Sequence, residues 1–212
     1  MGPKPKYFNP QLAAYIETLL KPSNSLTSAR RKILEQMAVS FSEQLRDHSR
    51  LNVIFICTHN SRRSHLAQLW AQTAAYHFDI SHVECFSGGT EATAFHTNTV
   101  AALRRCGFEV IAGDDSNNPH YRVSFASDGP RLEMFSKKFG DHFNPSTGFI
   151  AVMTCTDADE ACPFVPGAAL RFSLPYEDPK KADGTSREQE TYDQRCREIA
   201  TEMFYLMQKI AD

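Results

Sequence analysis

A nearly continuous apolar run that leads into a polar loop is the feature that most constrains the fold of this chain. Residues 51–56 (LNVIFI) predict a short strand that is buried on both faces, as in a parallel sheet. The segment 57–64 (CTHNSRRS) follows this strand, and residues 64–77 predict a helix. A buried strand, a loop and a helix in this order indicate an α/β fold.

The loop combines Cys57 with Arg63, and five residues separate the two. A loop of this length can turn its backbone N–H groups toward one point, where the positive N-terminal end of the following helix adds to the field. Such a cradle suits a tetrahedral oxyanion, which Arg63 would contact through two N–H groups. The same field favours the thiolate of Cys57, to which Ser64 could donate a hydrogen bond. The other candidate oxyanion ligands are Thr58, His59, Asn60, Ser61, Arg62 and Ser64 itself.

The simplest alternative is an ordinary buried cysteine at a strand end, followed by arginines on a helix surface. The Cys-x5-Arg spacing alone does not exclude this alternative, but the strand, the loop composition and the helix together favour the anion site. A solvated surface position remains open for Arg62 in either case.

The remainder of the chain alternates strands and helices. Strands are predicted over 83–87, 148–154 and 170–174, with a short extended segment over 108–111, and helices over 97–106 and 188–210. Gly107 is placed to end the helix over 97–106. Two segments, 121–126 and 131–135, flank the turn sequence SDGP and predict a hairpin. The alternation predicts an α/β domain with a mostly parallel sheet.

Residues 1–50 predict a helical extension separate from this domain. Helices are indicated over 11–20 and 27–46, with a break at 21–24. Two such helices bury little alone, so we expect them to pack on the main domain or on a second subunit. The predicted organisation is therefore an extension over 1–50 and a catalytic domain over 51–212, with an insertion near 112–147. A homodimer through the extension, or a regulatory binding role for the extension and the hairpin, is an alternative to simple packing.

The composition is that of a soluble globular protein of one domain with a modest appendage. The chain has 212 residues, of which 42% are hydrophobic and 23% charged, and its net charge is -2. It lacks the basic excess of nucleic-acid binders, the long apolar run of a membrane helix and the apolar core of a signal peptide. We therefore predict no nucleic-acid partner, no membrane association and a cytoplasmic location.

Six cysteines in such a chain do not imply a disulfide framework. Cys85, Cys106 and Cys196 are interpreted as buried free thiols. Cys155 and Cys162 bracket a polar segment and could meet after a local rearrangement, although two small residues in a loop remain an alternative. Their spacing is not that of a zinc site, and we predict no bound metal.

The segment CTHNSRRS resembles the loop of low-molecular-weight protein tyrosine phosphatases and of the thioredoxin-coupled arsenate reductases that share their fold. The segment CTDADEACP around Cys155 and Cys162 resembles the redox segment of those reductases, and in both families an Asp-Pro step at the place of Asp178 holds the general acid. The resemblance implies a four-stranded parallel sheet flanked by helices. His59 and Arg62 depart from the glycine and the cysteine that these families usually carry.

The resemblance implies thiol-dependent reduction of arsenate to arsenite. Cys57 would attack arsenate, Asp178 would protonate the leaving oxygen, and a relay through Cys155 and Cys162 would pass a disulfide to an external thiol reductant such as thioredoxin. No bound cofactor is implied, and Gln68 stands where some relatives carry a carboxylate near a structural cation.

The alternative is a protein tyrosine phosphatase that hydrolyses phosphate monoesters with Cys57, Arg63 and Asp178. Lys180 and Lys181 follow the Asp-Pro step where phosphatases usually carry tyrosines, so Tyr176 or Tyr121 would have to wall an aromatic substrate. Glu177 is interpreted as a neighbour of the acid. His96, His120 and His142 are isolated, and we assign none of them a role.

Overall fold

The computed structural model describes residues 6–21 and 26–212. The predicted break at 21–24 therefore lies, apart from Lys21, outside the described residues. The helices are α1 (Pro10–Leu19), α2 (Ser28–His48), α3 (Arg63–His77), α4 (Thr97–Cys106), α5 (Thr156–Ala161) and α6 (Glu188–Ala211), with a 3-10 turn at Pro179–Ala182. The strands are β1 (Leu51–Cys57), β2 (Val83–Gly89), β3 (Glu109–Ala112), β4 (Tyr121–Ser124), β5 (Leu132–Met134), β6 (Phe149–Met153) and β7 (Ala168–Ser173).

Four parallel strands form the central sheet in the order β2-β1-β6-β7. β1 is central, and its side chains alternate between two hydrophobic clusters. Val53 and Phe55 face one cluster, whereas Ile54 and Ile56 face the other. Because both faces are covered, the strand has the continuous apolar sequence from which it was predicted. The predicted α/β fold with a parallel sheet is confirmed.

The larger cluster contains the long helices α3 and α6, which pack against each other, and α3 and α2 pack against one face of the sheet. The smaller cluster, on the other face, contains the start of α5 and the buried ends of β1 and β6. The carboxyl ends of β1 and β6 lie side by side, because Ile56 pairs with Met153. Any groups that follow these two strands are therefore brought together at one edge of the sheet.

A second, antiparallel sheet is formed by β3, β4 and β5. The predicted hairpin is present, since Tyr121 pairs with Met134 and Val123 with Leu132. β3 adds to the other side of β4. This small sheet leads directly into residues 136–139, which run along the end of β2.

The first two helices pack on the main part of the same chain. Leu12, Ile16, Leu34 and Phe41 are buried in the larger cluster. α2 lies against α6, and α1 lies against α4 and α6. The apolar faces of α1 and α2 are thus covered within the chain, and the homodimer remains an untested prediction.

Within the described ranges, no helix combines the length and the apolar character that crossing a bilayer requires.

α4 ends as predicted at Gly107, which has φ of 103° in the left-handed region. A side chain at this position would also collide with the backbone of Leu12 in α1, because an added Cβ would lie 2.4 Å from the Leu12 nitrogen. Glycine is therefore required twice here, for the helix end and for the close approach of α1.

Candidate active site

The loop after β1 forms a buried cradle around the thiol of Cys57. Cys57 is the last residue of β1 and is 3% exposed, and Arg63 opens α3. Asn60, fully buried in the middle of the loop, has φ of 45°. Asparagine tolerates this left-handed conformation better than most residues. The positive φ falls on Asn60, so His59 adopts an ordinary backbone conformation without glycine.

Backbone carbonyls of the loop point outward, where neighbouring segments donate to them. Four pairs show this pattern: Cys57 O with Thr90 N (3.1 Å), Thr58 O with Glu91 N (2.8 Å), His59 O with Ser136 Oγ (2.9 Å) and Ser61 O with His96 N (3.0 Å). Within the part of the chain that the structure describes, no backbone N–H of residues 58–62 donates to another protein group. With the carbonyls held on the outside, these N–H groups are available to an anion on the inside.

The hydroxyl of Ser64 is oriented toward the Cys57 sulfur. The Asn60 amide donates to Ser64 Oγ at 2.8 Å, and Ser64 Oγ lies 3.1 Å from Cys57 Sγ. Because the amide proton already occupies a lone pair of the hydroxyl, the Ser64 proton is free to point at the sulfur. A hydrogen bond of this kind stabilises a thiolate, and this role of Ser64 stays a prediction.

Arg63 connects the loop with the segment that follows β7. Its Nη1 donates to the Tyr176 carbonyl at 3.0 Å, and its Nη2 donates to Asp178 Oδ2 at 2.7 Å. The Arg63 Nε is buried and has no acceptor among the described residues. Asp178 also accepts from the Lys180 N–H, which fixes the carboxylate at the start of the 3-10 turn. The structure thus brings Cys57, Arg63 and Asp178 to one place, as predicted.

Arg62 lies away from the solvent and turns toward α6. Its Nε donates to the Tyr192 hydroxyl at 2.7 Å and its Nη2 to Asp183 at 3.1 Å. The alternative of a solvated surface arginine is wrong, because Arg62 is buried. Burial raises the pKa of Tyr192 to about 12. Burial and the positive charge of Arg62 lower the pKa of His96, which caps α4 and stacks on Tyr192.

A cleft of about 540 Å³ opens beside the loop. Its lining includes His59, Phe95, His96, Tyr121 and Lys180. Of the two tyrosines considered as walls, only Tyr121 lines this cleft. Tyr176 is buried elsewhere, and its hydroxyl donates to Glu202 Oε2 at 2.7 Å. The suggestion that Tyr176 could form a wall of the substrate site is therefore wrong.

Cys155 and Cys162 bracket the short helix α5. Cys155 caps its N-terminus and is fully buried, with its sulfur 3.5 Å from Thr58 Oγ1 of the loop. Cys162 caps the C-terminus and is partly exposed. The three cysteines thus run from the buried cradle toward the surface. Arg171 holds α5 by donating to the carbonyls of Cys162 and Asp159.

Several residues that shape the site were not predicted. Gly89 ends β2 against the loop, where an added Cβ would lie 2.7 Å from Thr58 O and 2.8 Å from Asn60 N. Lys137, inside the predicted insertion, donates its backbone N–H to Asn60 Oδ1 at 2.9 Å. The adjacent glycines 88 and 89 at a strand end were the one available signal of a close backbone approach.

The chain is similar in sequence to bacterial arsenate reductases. It is 30% identical over 146 residues to the arsenate reductase of Bacillus subtilis strain 168, a match that covers 69% of this chain and 86% of that protein. It is 27% identical over 153 residues to the arsenate reductase of Bacillus licheniformis, which covers 71% of this chain and 89% of the relative. A scan against protein-family models gave no match.

Solved structures with a similar fold include the low-molecular-weight protein tyrosine phosphatase from T. tengcongensis. The TM-score is 0.53 at 16% sequence identity, and the match covers 75% of this chain and 99% of that structure. At this identity the similarity concerns the fold alone, and it agrees with the four-stranded parallel sheet described above.

Proposed function

Because this chain belongs to the arsenate reductase family, we propose that it reduces arsenate to arsenite, with Cys57 as the nucleophile and Cys155 and Cys162 as the relay. The observation that carries the proposal is the placement of the three cysteines. One thiol lies at the centre of an anion cradle, the second beside that loop, and the third at the surface. A phosphatase needs the first of these thiols and has no use for the other two.

Arsenate is a tetrahedral oxyanion, and the cradle offers the donors that such an anion needs. The inward N–H groups of residues 58–62 and the positive end of α3 face it. The buried Nε of Arg63 adds a donor that no protein group uses among the described residues. Arg63 is held at the same time by Asp178 and Tyr176, so the guanidinium is oriented before the substrate arrives.

The first chemical step joins sulfur to arsenic. The Cys57 thiolate attacks arsenic, the bond from arsenic to a hydroxyl group of hydrogen arsenate breaks, and Asp178 in its acid form protonates that hydroxyl, which leaves as water. Asp178 is placed for this role because Arg63, which would also contact the anion, holds its carboxyl group beside the loop. Ser64 contributes by stabilising the thiolate before the attack.

The second step reduces arsenic and forms a disulfide. The thiolate of Cys155 attacks the sulfur of Cys57, a sulfur–sulfur bond forms, and the electron pair of the sulfur–arsenic bond stays on arsenic, which leaves as arsenite. The sulfur of Cys155 lies beside Thr58, next in sequence to Cys57, so this attack needs a local movement only.

The third step moves the disulfide outward. Cys162 attacks Cys155, the Cys155–Cys162 bond forms, and Cys57 leaves as a thiolate. A helix of six residues is roughly 9 Å long, whereas the Cα atoms of a disulfide lie within about 7 Å of each other. α5 must therefore unwind for this step. An external dithiol protein such as thioredoxin would then reduce the pair, which fits a reducing cytoplasm.

The test is the oxidation of NADPH in the presence of thioredoxin, thioredoxin reductase and arsenate. Wild-type protein is expected to sustain many turnovers. Cys162→Ser is expected to stop after one, with a trapped Cys57–Cys155 disulfide, whereas Cys85→Ala, a buried thiol of β2, should turn over normally. Continued turnover of Cys162→Ser would contradict the relay.

Phosphate monoester hydrolysis is the second candidate, and one observation favours it. The cleft beside the loop is far larger than an inorganic oxyanion needs and presents Phe95 and Tyr121. Hydrolysis of p-nitrophenyl phosphate separates the two candidates. Hydrolysis that is independent of Cys155 and Cys162, without arsenate-dependent NADPH oxidation, would establish the phosphatase instead.

A further inference from the structure

Two thiols outside the proposed site lie in direct contact. Cys106, the last residue of α4, and Cys196, in the middle of α6, are both buried, and their sulfur atoms are 3.6 Å apart. The two residues are far apart in sequence, so only the packing of α4 on α6 brings them together. The sequence alone gave no reason to distinguish either from an ordinary buried cysteine.

The surroundings make the two thiols chemically unequal. Trp70 Nε1 donates to Cys196 Sγ at 3.2 Å, and Tyr15 of α1 stacks on Trp70. A hydrogen bond from Cys196 lowers the pKa of Cys106, and the contact with Tyr15 adds to this effect against the cost of burial. The same hydrogen bond, together with burial, raises the pKa of Cys196. Cys106 is therefore the thiol that ionises first.

Cys106 is also the thiol that a small solute can reach. It lines a cleft of about 460 Å³ between α1, α4 and α6, together with Tyr15, Arg105 and Arg197. Arg105 is held on the rim by Asp193 of α6 at 2.6 Å. Cys196 does not line the cleft and lies beneath Cys106. The arrangement is that of an attacking thiol at the bottom of a cleft and a resolving thiol behind it.

We propose that Cys106 and Cys196 form a second redox-active pair, which is oxidised to an intramolecular disulfide by a small hydroperoxide such as hydrogen peroxide. The Cys106 thiolate attacks a peroxide oxygen, a sulfur–oxygen bond forms, the oxygen–oxygen bond breaks, and water leaves after taking up a proton. Cys106 is then a sulfenic acid. Cys196 attacks its sulfur, the sulfur–oxygen bond breaks, and the hydroxyl leaves as a second water with the proton that Cys196 loses. An external dithiol restores the two thiols.

This pair is separate from the proposed relay. Cys106 and Cys196 belong to the cluster on the α3 and α6 face of the sheet, whereas Cys57 and Cys155 belong to the cluster on the opposite face. The sheet itself lies between them, so direct exchange between the two sets is excluded in the folded chain. The second pair can therefore be present whether or not the chain reduces arsenate.

The test uses the full chain with Cys57, Cys155 and Cys162 each changed to serine, which leaves Cys85, Cys106 and Cys196. The folded protein is treated with equimolar hydrogen peroxide, quenched by alkylation in denaturant and mapped by mass spectrometry. We expect a Cys106–Cys196 linkage that dithiothreitol reverses. The linkage should form at least about ten times faster than Cys85 is oxidised. Only the thiolate reacts with peroxide, and burial raises the pKa of Cys85.

Equal oxidation of Cys85, or a linkage that forms only in unfolded protein, would overturn the proposal. A second variant, Cys196→Ala on the same background, removes the resolving thiol and should leave a Cys106 sulfenic acid that dimedone traps. Absence of this adduct in a variant whose circular dichroism is native would also overturn it. If that variant does not fold, the rate comparison with Cys85 decides alone.

Discussion

The neighbouring strands β1 and β6 each lead into a cysteine, but the segments that follow the two cysteines are very different. β1 ends at Cys57, and the loop and helix that follow are almost entirely buried, with twelve of the 15 residues of α3 out of solvent. β6 is followed by Cys155 and by α5, a helix of six residues of which only Ala158 is buried. The loop that begins at the first cysteine is held by hydrogen bonds to neighbouring segments, whereas the second cysteine starts a helix with only one buried residue.

The difference corresponds to what the proposed reaction would require of each segment. An anion site needs donors whose positions are fixed before binding, since donors that must reorganise lose much of their effect on the reaction. A disulfide relay needs a thiol that can travel, and an isolated helix of this length is marginal in water. The four predictions below test whether the β1 segment acts through fixed geometry and the β6 segment through movement.

The largest effect is expected at Arg63. Arg63→Lys keeps the charge but removes the planar guanidinium group with its paired N–H donors and its buried Nε. We therefore expect kcat/KM for arsenate to fall by about 10³-fold. The adjacent Arg62→Lys is the matched control, because the Arg62 guanidinium bonds to Tyr192 and Asp183. It should cost less than about tenfold. Steady-state kinetics measure both variants, and equal losses would mean that Arg62 is also a ligand of the anion.

The next largest effect is expected at Asp178. Asp178→Asn removes the acid, and kcat should fall by about 10²-fold while arsenate still binds. Glu177→Gln, one position earlier on an exposed side chain, should leave kcat unchanged. Single-turnover kinetics with saturating arsenate would check this. A loss of binding without a loss of rate would instead assign Asp178 to the orientation of Arg63.

The elements that create this contrast could be predicted from the sequence because their signals are local. The apolar runs of β1 and β6 and the loop between Cys57 and Arg63 each lie within a few consecutive residues. The predicted strand and helix bounds accordingly fall within a few residues of those in the structure. The placement of Asp178 depended on the resemblance, because an Asp-Pro step by itself indicates only a turn.

The frame around the loop could not be predicted, because long-range backbone contacts create it. Thr90, Glu91 and His96 donate main-chain N–H groups, and such donors carry no signature of residue type. Arg62 bonds to Tyr192 of α6 and to Asp183, which follows the 3-10 turn, and both lie more than a hundred positions away in the sequence. The burial of Arg62 and Tyr192 is likewise a property of the whole fold.

A smaller effect is expected at Ser64. Ser64→Ala removes the hydroxyl 3.1 Å from the Cys57 sulfur, so alkylation of Cys57 by iodoacetamide at neutral pH should slow by about tenfold. Ser61→Ala, in the same loop, is the control, and it should alkylate at the wild-type rate. If Ser64→Ala reacts as fast as wild type, the fixed hydroxyl does not stabilise the thiolate, and the loop N–H groups alone must do so.

The smallest effect is expected from one glycine in α5. Ala161→Gly at the exposed C-terminal end of this helix lowers helix stability by about 0.5 kcal/mol, less than in a helix interior, so formation of the Cys155–Cys162 disulfide after a single turnover should quicken by roughly twofold. Ala71→Gly in buried α3 should lower the free energy of unfolding by about 1 kcal/mol or more and leave the disulfide rate unchanged. Quenched-flow alkylation and urea unfolding measure the two quantities. If Ala161→Gly left the disulfide rate unchanged, unwinding of α5 would not limit the relay. The contrast between the two segments would then rest only on the greater exposure of α5 compared with α3.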